Sequence, residues 1–233
     1  MTFKMIDEMI RETEKELKAL KKYPDAKLIE IIKEVGFECD LCGMCCTRQF
    51  NDHVFLLEKD VEAMKQIDAS LITPAPYYEF CDQKGNFYVS GYSLRTKEDG
   101  SCVLLENNRC TIYDKRPTIC SLYPYMLHRE TDEEGNLDWR QISGLDQHGC
   151  YHNEITDEDT KVIASDIKEY EEAYLEQQIA FFKKVKEHFK ENGSRHVKSV
   201  YDRQIRAFEK GKEIVVYVFH NNGLELCRIS KEK

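Results

Sequence analysis

The stretch CDLCGMCCTRQF, residues 39–50, places four cysteines close together: Cys39, Cys42, Cys45 and Cys46. Cys45 and Cys46 are adjacent, so their Cα atoms are about 3.8 Å apart, which is shorter than the usual separation across a disulfide. Four crowded thiolates repel one another unless a cation compensates their charge. The stretch therefore predicts a metal site rather than a set of cystines.

The spacing within this stretch narrows the kind of metal site. A CxxCxxC loop can turn three sulfurs inward, and Gly43 supplies backbone angles that a side chain would restrict. A bacterial ferredoxin motif begins in the same way, but its fourth cysteine comes three residues later and precedes a proline. Here Cys46 follows Cys45 directly. In addition, fewer residues separate Cys39 from Cys42 than separate the first two cysteines of the radical S-adenosylmethionine motif. The stretch thus favours sulfur ligation without specifying a ferredoxin-type cluster.

Two more candidate ligands, Cys102 and Cys110, lie in the segment 102–113 on either side of Asn107 and Asn108. The two asparagines predict a hairpin turn. In a regular hairpin with that two-residue turn, the cysteines would point to opposite faces, because side chains alternate along strands. A metal shared by both cysteines would then require a longer loop or a bulge.

Cys120 and Cys150 complete a candidate set of eight cysteines. Pro117 suits the first turn of a helix, which would place Cys120 near amide groups that favour a thiolate. His148 and His152 flank Cys150, but loop histidines more often make ordinary hydrogen bonds than bind metal.

The remaining cysteines, Cys81 and Cys227, lie outside both dense blocks. A lone cysteine behaves as a small hydrophobic residue and is commonly buried. We therefore expect these two side chains to serve packing rather than ligation.

The order of these motifs resembles a known family. CxxCxxCC at 39–46, GSCVLL at 100–105, RCTIYDKRPTICSLYP at 109–124 and a later Cys150 are similar to the YkgJ-type CxxCxxCC family, a zinc- or iron-chelating domain. The resemblance extends over roughly residues 37–152. It implies that the metal ligands are Cys39, Cys42, Cys45, Cys46, Cys102, Cys110, Cys120 and Cys150. Four further residues match the local signature of the family: Tyr113, Arg116, Pro117 and Tyr123.

Hydrophobic periodicity predicts an α+β fold. We expect a cysteine-rich metal-binding core with short strands, flanked by N-terminal helices and by a long C-terminal helical segment plus a terminal β-hairpin. Helices are predicted over residues 3–22, 25–36, 57–67, 157–191 (one long helix or a broken one) and 195–211. Strands are predicted over 86–94, 102–113 and 213–229, the last with an Asn-Gly-containing turn.

Three consecutive segments follow from these predictions. They are a helical segment over 1–36, the metal-binding core over 37–152, and a helical extension with the terminal hairpin over 153–233, packed on the core. The sequences KEDG at 97–100 and DEEG at 132–135 predict turns.

Composition limits the partners of the protein. Its 233 residues include 34 basic and 43 acidic side chains, and the net charge of −9 argues against broad contact with nucleic acid or anionic lipid. The charged first residues lack the apolar core of a secretory signal, and no stretch is long enough to cross a bilayer. We therefore expect a cytoplasmic protein without a nucleic-acid or membrane partner. In a reducing compartment, clustered thiols serve metals or redox chemistry.

Three functions compete for this set of residues. Sulfur-only ligation favours an iron–sulfur cluster, [4Fe–4S] in type, with a redox or protein-modification role and an electron donor or protein partner. The alternative is a structural zinc module for protein association. The resembled family also includes flagellin lysine N-methylase-like proteins, which implies a third possibility, a metal-dependent protein lysine methylase-like enzyme. The sequence supplies no specific glycine-rich nucleotide loop and no assignable general base for it, so enzymatic activity stays open.

Overall fold

In the computed structural model, the described residues are 2–125, 127–131, 137–141 and 147–230. The turn predicted at 132–135 lies outside them. The chain divides into two compact units, each assembled from separate stretches of sequence. The first unit consists of residues 1–14, 55–94 and 175–233, and the second unit consists of residues 15–54 and 95–174. Both units therefore draw on more than one of the three consecutive segments.

The described residues contain six α-helices. They are α1 (Thr2–Lys22), α2 (Asp25–Val35), α3 (Glu58–Ile67), α4 (Thr118–Leu122), α5 (Asp157–Glu191) and α6 (Lys198–Glu209). As predicted, α2 ends at Gly36, whose φ of 49° terminates the helix in the left-handed conformation. The region 157–191 is one continuous helix, which decides between the two predicted alternatives. No helix within the described ranges is long and apolar enough to cross a membrane.

Short strands account for the β part of the α+β fold. They are β1 (Phe55–Leu56), β2 (Ile72–Pro74), β3 (Phe80–Cys81), β4 (Phe87–Val89), β5 (Tyr92–Leu94), β6 (Leu105–Glu106), β7 (Arg109–Cys110), β8 (Leu127–Thr131), β9 (Leu137–Gln141), β10 (Ile214–His220) and β11 (Gly223–Ile229). The predicted fold class, with its long C-terminal helix and terminal hairpin, is confirmed.

The first unit is built on a four-stranded sheet in the order β11-β10-β4-β3. Strand β10 pairs in parallel with β4, while its other neighbour, β11, is antiparallel. Side chains at i, i+4 spacing on α1 and α5 pack on this sheet in one buried cluster. The cluster consists of Ile6, Ile10, Phe80, Tyr88, Phe181, Phe182, Val185, Phe189 and Phe219. A smaller sheet in the same unit has the order β1-β5-β2.

The second unit contains α2, α4 and two isolated hairpins, β6–β7 and β8–β9. Single antiparallel bridges hold its loops together, among them Glu38 with Cys150 and Thr47 with Ser101. The amide of Phe37 also donates to the Tyr125 hydroxyl at 2.9 Å. This unit is therefore organised by loop contacts around the cysteine motif rather than by an extended sheet.

Two hairpins use the same turn chemistry. Asn107 and Asn108 connect β6 to β7, and Asn221 and Asn222 connect β10 to β11. All four asparagines have positive φ between 48° and 61°, as a two-residue type I′ turn requires. Both predicted hairpins form, although the second turn consists of the two asparagines, and Gly223 is the first residue of β11.

Candidate metal centre

The fold separates the ten cysteines into two groups. All eight candidate ligands lie in the second unit, whereas Cys81 and Cys227 lie in the first. None of the ten cysteines, each within the described ranges, forms a disulfide. Cys81 is fully buried, as expected, and Cys227 is partly buried.

The cysteine-rich loop depends on a glycine at its centre. Gly43 has a φ of 74° and precedes a single 3₁₀ turn, Met44–Cys46. A Cβ atom on Gly43 would lie 2.8 Å from the carbonyl oxygen of Asn108, which is closer than packed atoms allow. Gly43 is therefore needed for the backbone turn, as the sequence predicted. It is also needed for the close approach of this loop to the β6–β7 hairpin, which the sequence did not predict.

Cys46 joins this loop to the second block of cysteines. The amide of Cys102 donates to the Cys46 carbonyl oxygen at 2.7 Å. The thiols of Cys46, Cys102 and Cys110 lie near enough to interact electrostatically, and the Cys45 thiol is hydrogen-bonded to that of Cys46. Cys46 is thus the common member of a neighbourhood that includes Cys45, Cys102 and Cys110.

The predicted obstacle to a shared site at Cys102 and Cys110 does not arise. Leu105 pairs with Cys110 across the two-residue turn, but Cys102 lies outside the strand β6. A turn closed by the Leu105 amide and the Cys102 carbonyl, 3.0 Å apart, separates Cys102 from that strand. Because the alternation of side chains applies only within the strand, this turn frees Cys102 from the strand register, and the two thiols can approach each other.

The thiols of Cys46, Cys102 and Cys110 have raised pKa values. The hydrogen bond that the Cys46 thiol donates to Cys45 and the loss of solvent raise the pKa of Cys46, and burial raises the pKa of Cys102 to about 11. Burial also raises the pKa of Cys110, while the nearby Arg116 guanidinium opposes the shift at Cys46 and Cys110. A cation would replace these protons on binding, because the metal ligand is the thiolate.

A second neighbourhood forms around the start of the motif. Glu38 and Cys150 exchange two backbone hydrogen bonds of 2.8 and 3.0 Å, which places Cys150 beside Cys39. Both cysteines are exposed. Cys42 approaches the backbone of Gly149, and loss of solvent raises the pKa of its thiol. These contacts bring Cys150 to the cysteine loop despite its distance in sequence.

Cys120 lies in α4, close to the position that the sequence predicted. Its amide donates to the carbonyl of Pro117 at 2.9 Å, and its side chain is partly buried. Pro117 immediately precedes the helix rather than occupying its first turn. The proline still fixes the start of α4, because its φ of −52° suits a helix entry.

The two histidines beside Cys150 have hydrogen-bonding roles, as expected. The Nε2 atom of His148 is 2.8 Å from the Tyr123 hydroxyl. The Nδ1 atom of His152 is 3.1 Å from the carbonyl oxygen of Glu34. These contacts orient both rings against the protein.

Sequence reasoning missed the groups that shape the cysteine loop. The carboxylate of Asp40 accepts a hydrogen bond from the amide of Cys42 at 3.1 Å, and Asn51 donates through its side chain to the Cys45 carbonyl. The hydrogen bonds from Cys42 lower the pKa of Asp40. An aspartate two residues before an amide is a known turn signal, so Asp40 could have been found from its spacing.

The donor chemistry of the second unit fits a thiolate-bound metal. Two buried nitrogens there, Nε of Arg116 and Nδ1 of His148, have no hydrogen-bond partner in the structure. Arg116 lies near the thiols of Cys46 and Cys110, where a positive group would compensate an anionic metal–thiolate centre. However, the described residues contain no group of three or more His, Cys, Asp or Glu side chains placed to hold a metal ion. The complete ligand set therefore stays a prediction.

One protein-family model matches the chain, over residues 38–142. Its name, CxxCxxCC, is the spacing of the motif at 39–46, and its description is "Putative zinc- or iron-chelating domain". This segment matches the model of the CxxCxxCC family. The resemblance predicted from the sequence is confirmed over slightly less than half of the chain. Searches of curated proteins and of solved structures found no match.

The CxxCxxCC segment includes every candidate ligand except Cys150, which lies beyond residue 142. The resemblance from sequence alone extended to 152. The case for Cys150 therefore depends on the structure, in which its two backbone hydrogen bonds to Glu38 place it at the start of the motif.

Proposed function

We propose that the protein binds an iron–sulfur cluster through the cysteines of the second unit and uses it for redox chemistry. The observation that carries the proposal is the backbone hydrogen bond of 2.7 Å that joins Cys46 to Cys102, within the segment that matches a zinc- or iron-chelating family. When bound, such a cluster supplies one-electron transfer. The protein provides sulfur ligands, a partly buried guanidinium and partial exclusion of water, which together set the potential of a cluster.

Adjacent cysteines favour a cluster over a single ion. Cys45 and Cys46 are neighbours in the chain and occupy one 3₁₀ turn, so their sulfurs start from Cα atoms about 3.8 Å apart. A cluster offers several irons, each of which can take one of two neighbouring sulfurs. A lone zinc ion needs four ligands in a tetrahedral arrangement around one point. Zinc is the alternative cofactor, and the family description includes both metals.

The remaining candidates, Cys39, Cys42, Cys120 and Cys150, form the second half of the proposed ligand set. In this second set Cys39 and Cys150 are exposed, and Cys42 and Cys120 are partly buried; in the first set Cys102 is buried, and the other three cysteines are partly buried. We assign the first set as the main cluster ligands, because it contains the buried cysteine and a shielded site protects a cluster from solvent and oxidants. The second set suits a second centre or a site of electron entry.

Serine substitution tests the proposal. In protein purified without oxygen, Cys46→Ser should lose most of its iron, its acid-labile sulfide and the visible absorption of sulfur-to-iron charge transfer. Cys227→Ser is the matched control, since Cys227 is also partly buried but lies in the first unit. It should keep all three. If Cys46→Ser contains as much iron and sulfide as the unsubstituted protein, the ligand assignment is refuted. If the unsubstituted protein contains zinc and no acid-labile sulfide, zinc is the favoured cofactor.

A further inference from the structure

The two edges of the four-stranded sheet in the first unit differ in how they are protected. At one edge β3 is only two residues long, and residues 196–197 cover it. The Cys81 amide donates to Nδ1 of His196 at 3.0 Å, and the Val197 amide donates to the Cys81 carbonyl at 2.9 Å. This edge therefore has its backbone groups satisfied.

The opposite edge, β11, is seven residues long. Within the described part of the chain, no strand or loop pairs its backbone with the outer side of β11. At the midpoint of the strand, Leu226 is 53% exposed. A long edge strand with an exposed apolar residue is a template for pairing with another strand, which natural proteins usually block.

The hairpin register shows which backbone groups face outward. His220 and Gly223 close the two-residue turn, so they form a hydrogen-bonded pair, and such pairs alternate along the ladder. Leu224, Leu226 and Arg228 consequently occupy the other positions. Their amide and carbonyl groups point away from β10 and are available to a neighbouring strand.

We propose that β11 pairs antiparallel with β11 of a second copy of this chain, centred on Leu226. A two-fold axis perpendicular to the sheet lies midway between the two copies of one residue, because facing side chains must share a side of the sheet. Centring on Leu226 pairs all seven residues of the strand. It also places the outward backbone groups of Leu226 opposite those of the second copy's Leu226, in hydrogen-bonding register.

The side chains in this register are compatible with self-pairing. Leu226 faces its own counterpart, Glu225 faces the second copy's Cys227, and Leu224 faces the second copy's Arg228. No like charges lie opposite each other, although β11 carries one acidic and one basic residue. Arg228 retains its exposed ion pair with Glu213, at 3.2 Å, within its own chain. Self-pairing thus covers the leucine and satisfies the open edge without repulsion.

Molecular mass in solution, measured by light scattering on the full chain over a range of concentrations, tests the proposal. The unsubstituted protein should be a dimer, and Leu226→Lys should weaken dimerisation by more than about tenfold, because it places two ammonium groups opposite each other. Val162→Lys is the matched control: Val162 is 54% exposed on α5, and its substitution should leave the dimer intact. A monomeric unsubstituted protein, or a dimer that persists in Leu226→Lys, would overturn the proposal.

A charge-exchange experiment keeps the test independent of folding defects. Neither Leu226→Glu nor Leu226→Lys should dimerise alone, but an equimolar mixture should form the heterodimer, because opposite charges then face each other at the two-fold axis. Recovery of dimer requires both variants to be folded. A mixture that stays monomeric while both variants give the far-ultraviolet circular dichroism of the unsubstituted protein would also overturn the proposal.

Discussion

Single side chains set the chemistry of both units, and Arg116 shows how. Its guanidinium lies over the Tyr113 ring at 3.9 Å and donates to the Tyr113 carbonyl, yet its Nε atom is buried without a partner. An unpaired buried donor costs about 1–3 kcal/mol. An anionic metal–thiolate centre beside Cys46 and Cys110 would supply the missing acceptor, so the residue that matches the family signature also fits the proposed cofactor.

A buried carboxyl in the first unit predicts pH-dependent stability. One oxygen of Glu79 is buried without a hydrogen-bond partner, while the carboxyl also contacts Ser90, whose hydroxyl accepts from Gln178 at 2.8 Å. The side chain of Tyr201, which lies near Glu79, is uncharged and so does not offset the loss of solvent. Loss of solvent therefore raises the pKa of Glu79 to about 7.

The direction in which pH changes the free energy of unfolding follows from the proton that the folded protein retains on Glu79. Between the ordinary glutamate pKa and about 7, the folded protein holds a proton that the unfolded chain releases, so the free energy of unfolding falls as the pH rises through this window. The loss should reach up to about 3 kcal/mol. Glu79→Gln should remove it, as measured by urea unfolding at pH 5 and pH 8. The same difference between the two pH values in both proteins would contradict the assignment.

Helix ends supply a second prediction, because two glycines end helices in different surroundings. Gly36 ends α2 with a φ of 49°, and Gly193 follows α5 with a φ of 58°. A Cβ at Gly36 would lie 2.4 Å from the Asn153 carbonyl oxygen, whereas nothing lies within 4 Å at Gly193. Both alanine substitutions strain the backbone, but only the first also displaces the Asn153 segment.

Gly193→Ala should therefore lower the free energy of unfolding by about 1 kcal/mol, and Gly36→Ala by more than about twice that amount. Urea unfolding of both variants measures the difference. Since the Asn153 segment adjoins Cys150, Gly36→Ala should also reduce the metal content. Equal destabilisation by the two substitutions would show that the close contact at Gly36 is relieved without cost.

The helices and the two hairpins could be predicted from sequence because their signals are local. The periodic apolar residues of α5 and the paired asparagines at 107–108 and 221–222 specify structure within a few residues. The pairing of β10 with β4 joins residues such as Val216 and Phe87, and no local pattern encodes that contact. The same limit hid the Cys46–Cys102 hydrogen bond, which joins the two blocks of cysteines.

Across the whole molecule, the division of the cysteines predicts where metal removal acts. All eight candidate ligands lie in the second unit, so a chelator should increase hydrogen exchange at amides of the 39–46 loop and the β6–β7 hairpin. Amides of β10 and β11 in the first unit should keep their protection. Uniform loss of protection across both units, at a chelator concentration that removes the metal, would argue against a local role for the cofactor.

We propose that the second unit binds an iron–sulfur cluster through its cysteines. Quantifying iron, zinc and acid-labile sulfide per chain in protein purified without oxygen tests it most directly. We predict iron and sulfide in similar amounts, with little zinc. Folded protein that contains neither iron nor sulfide after such purification would contradict the claim.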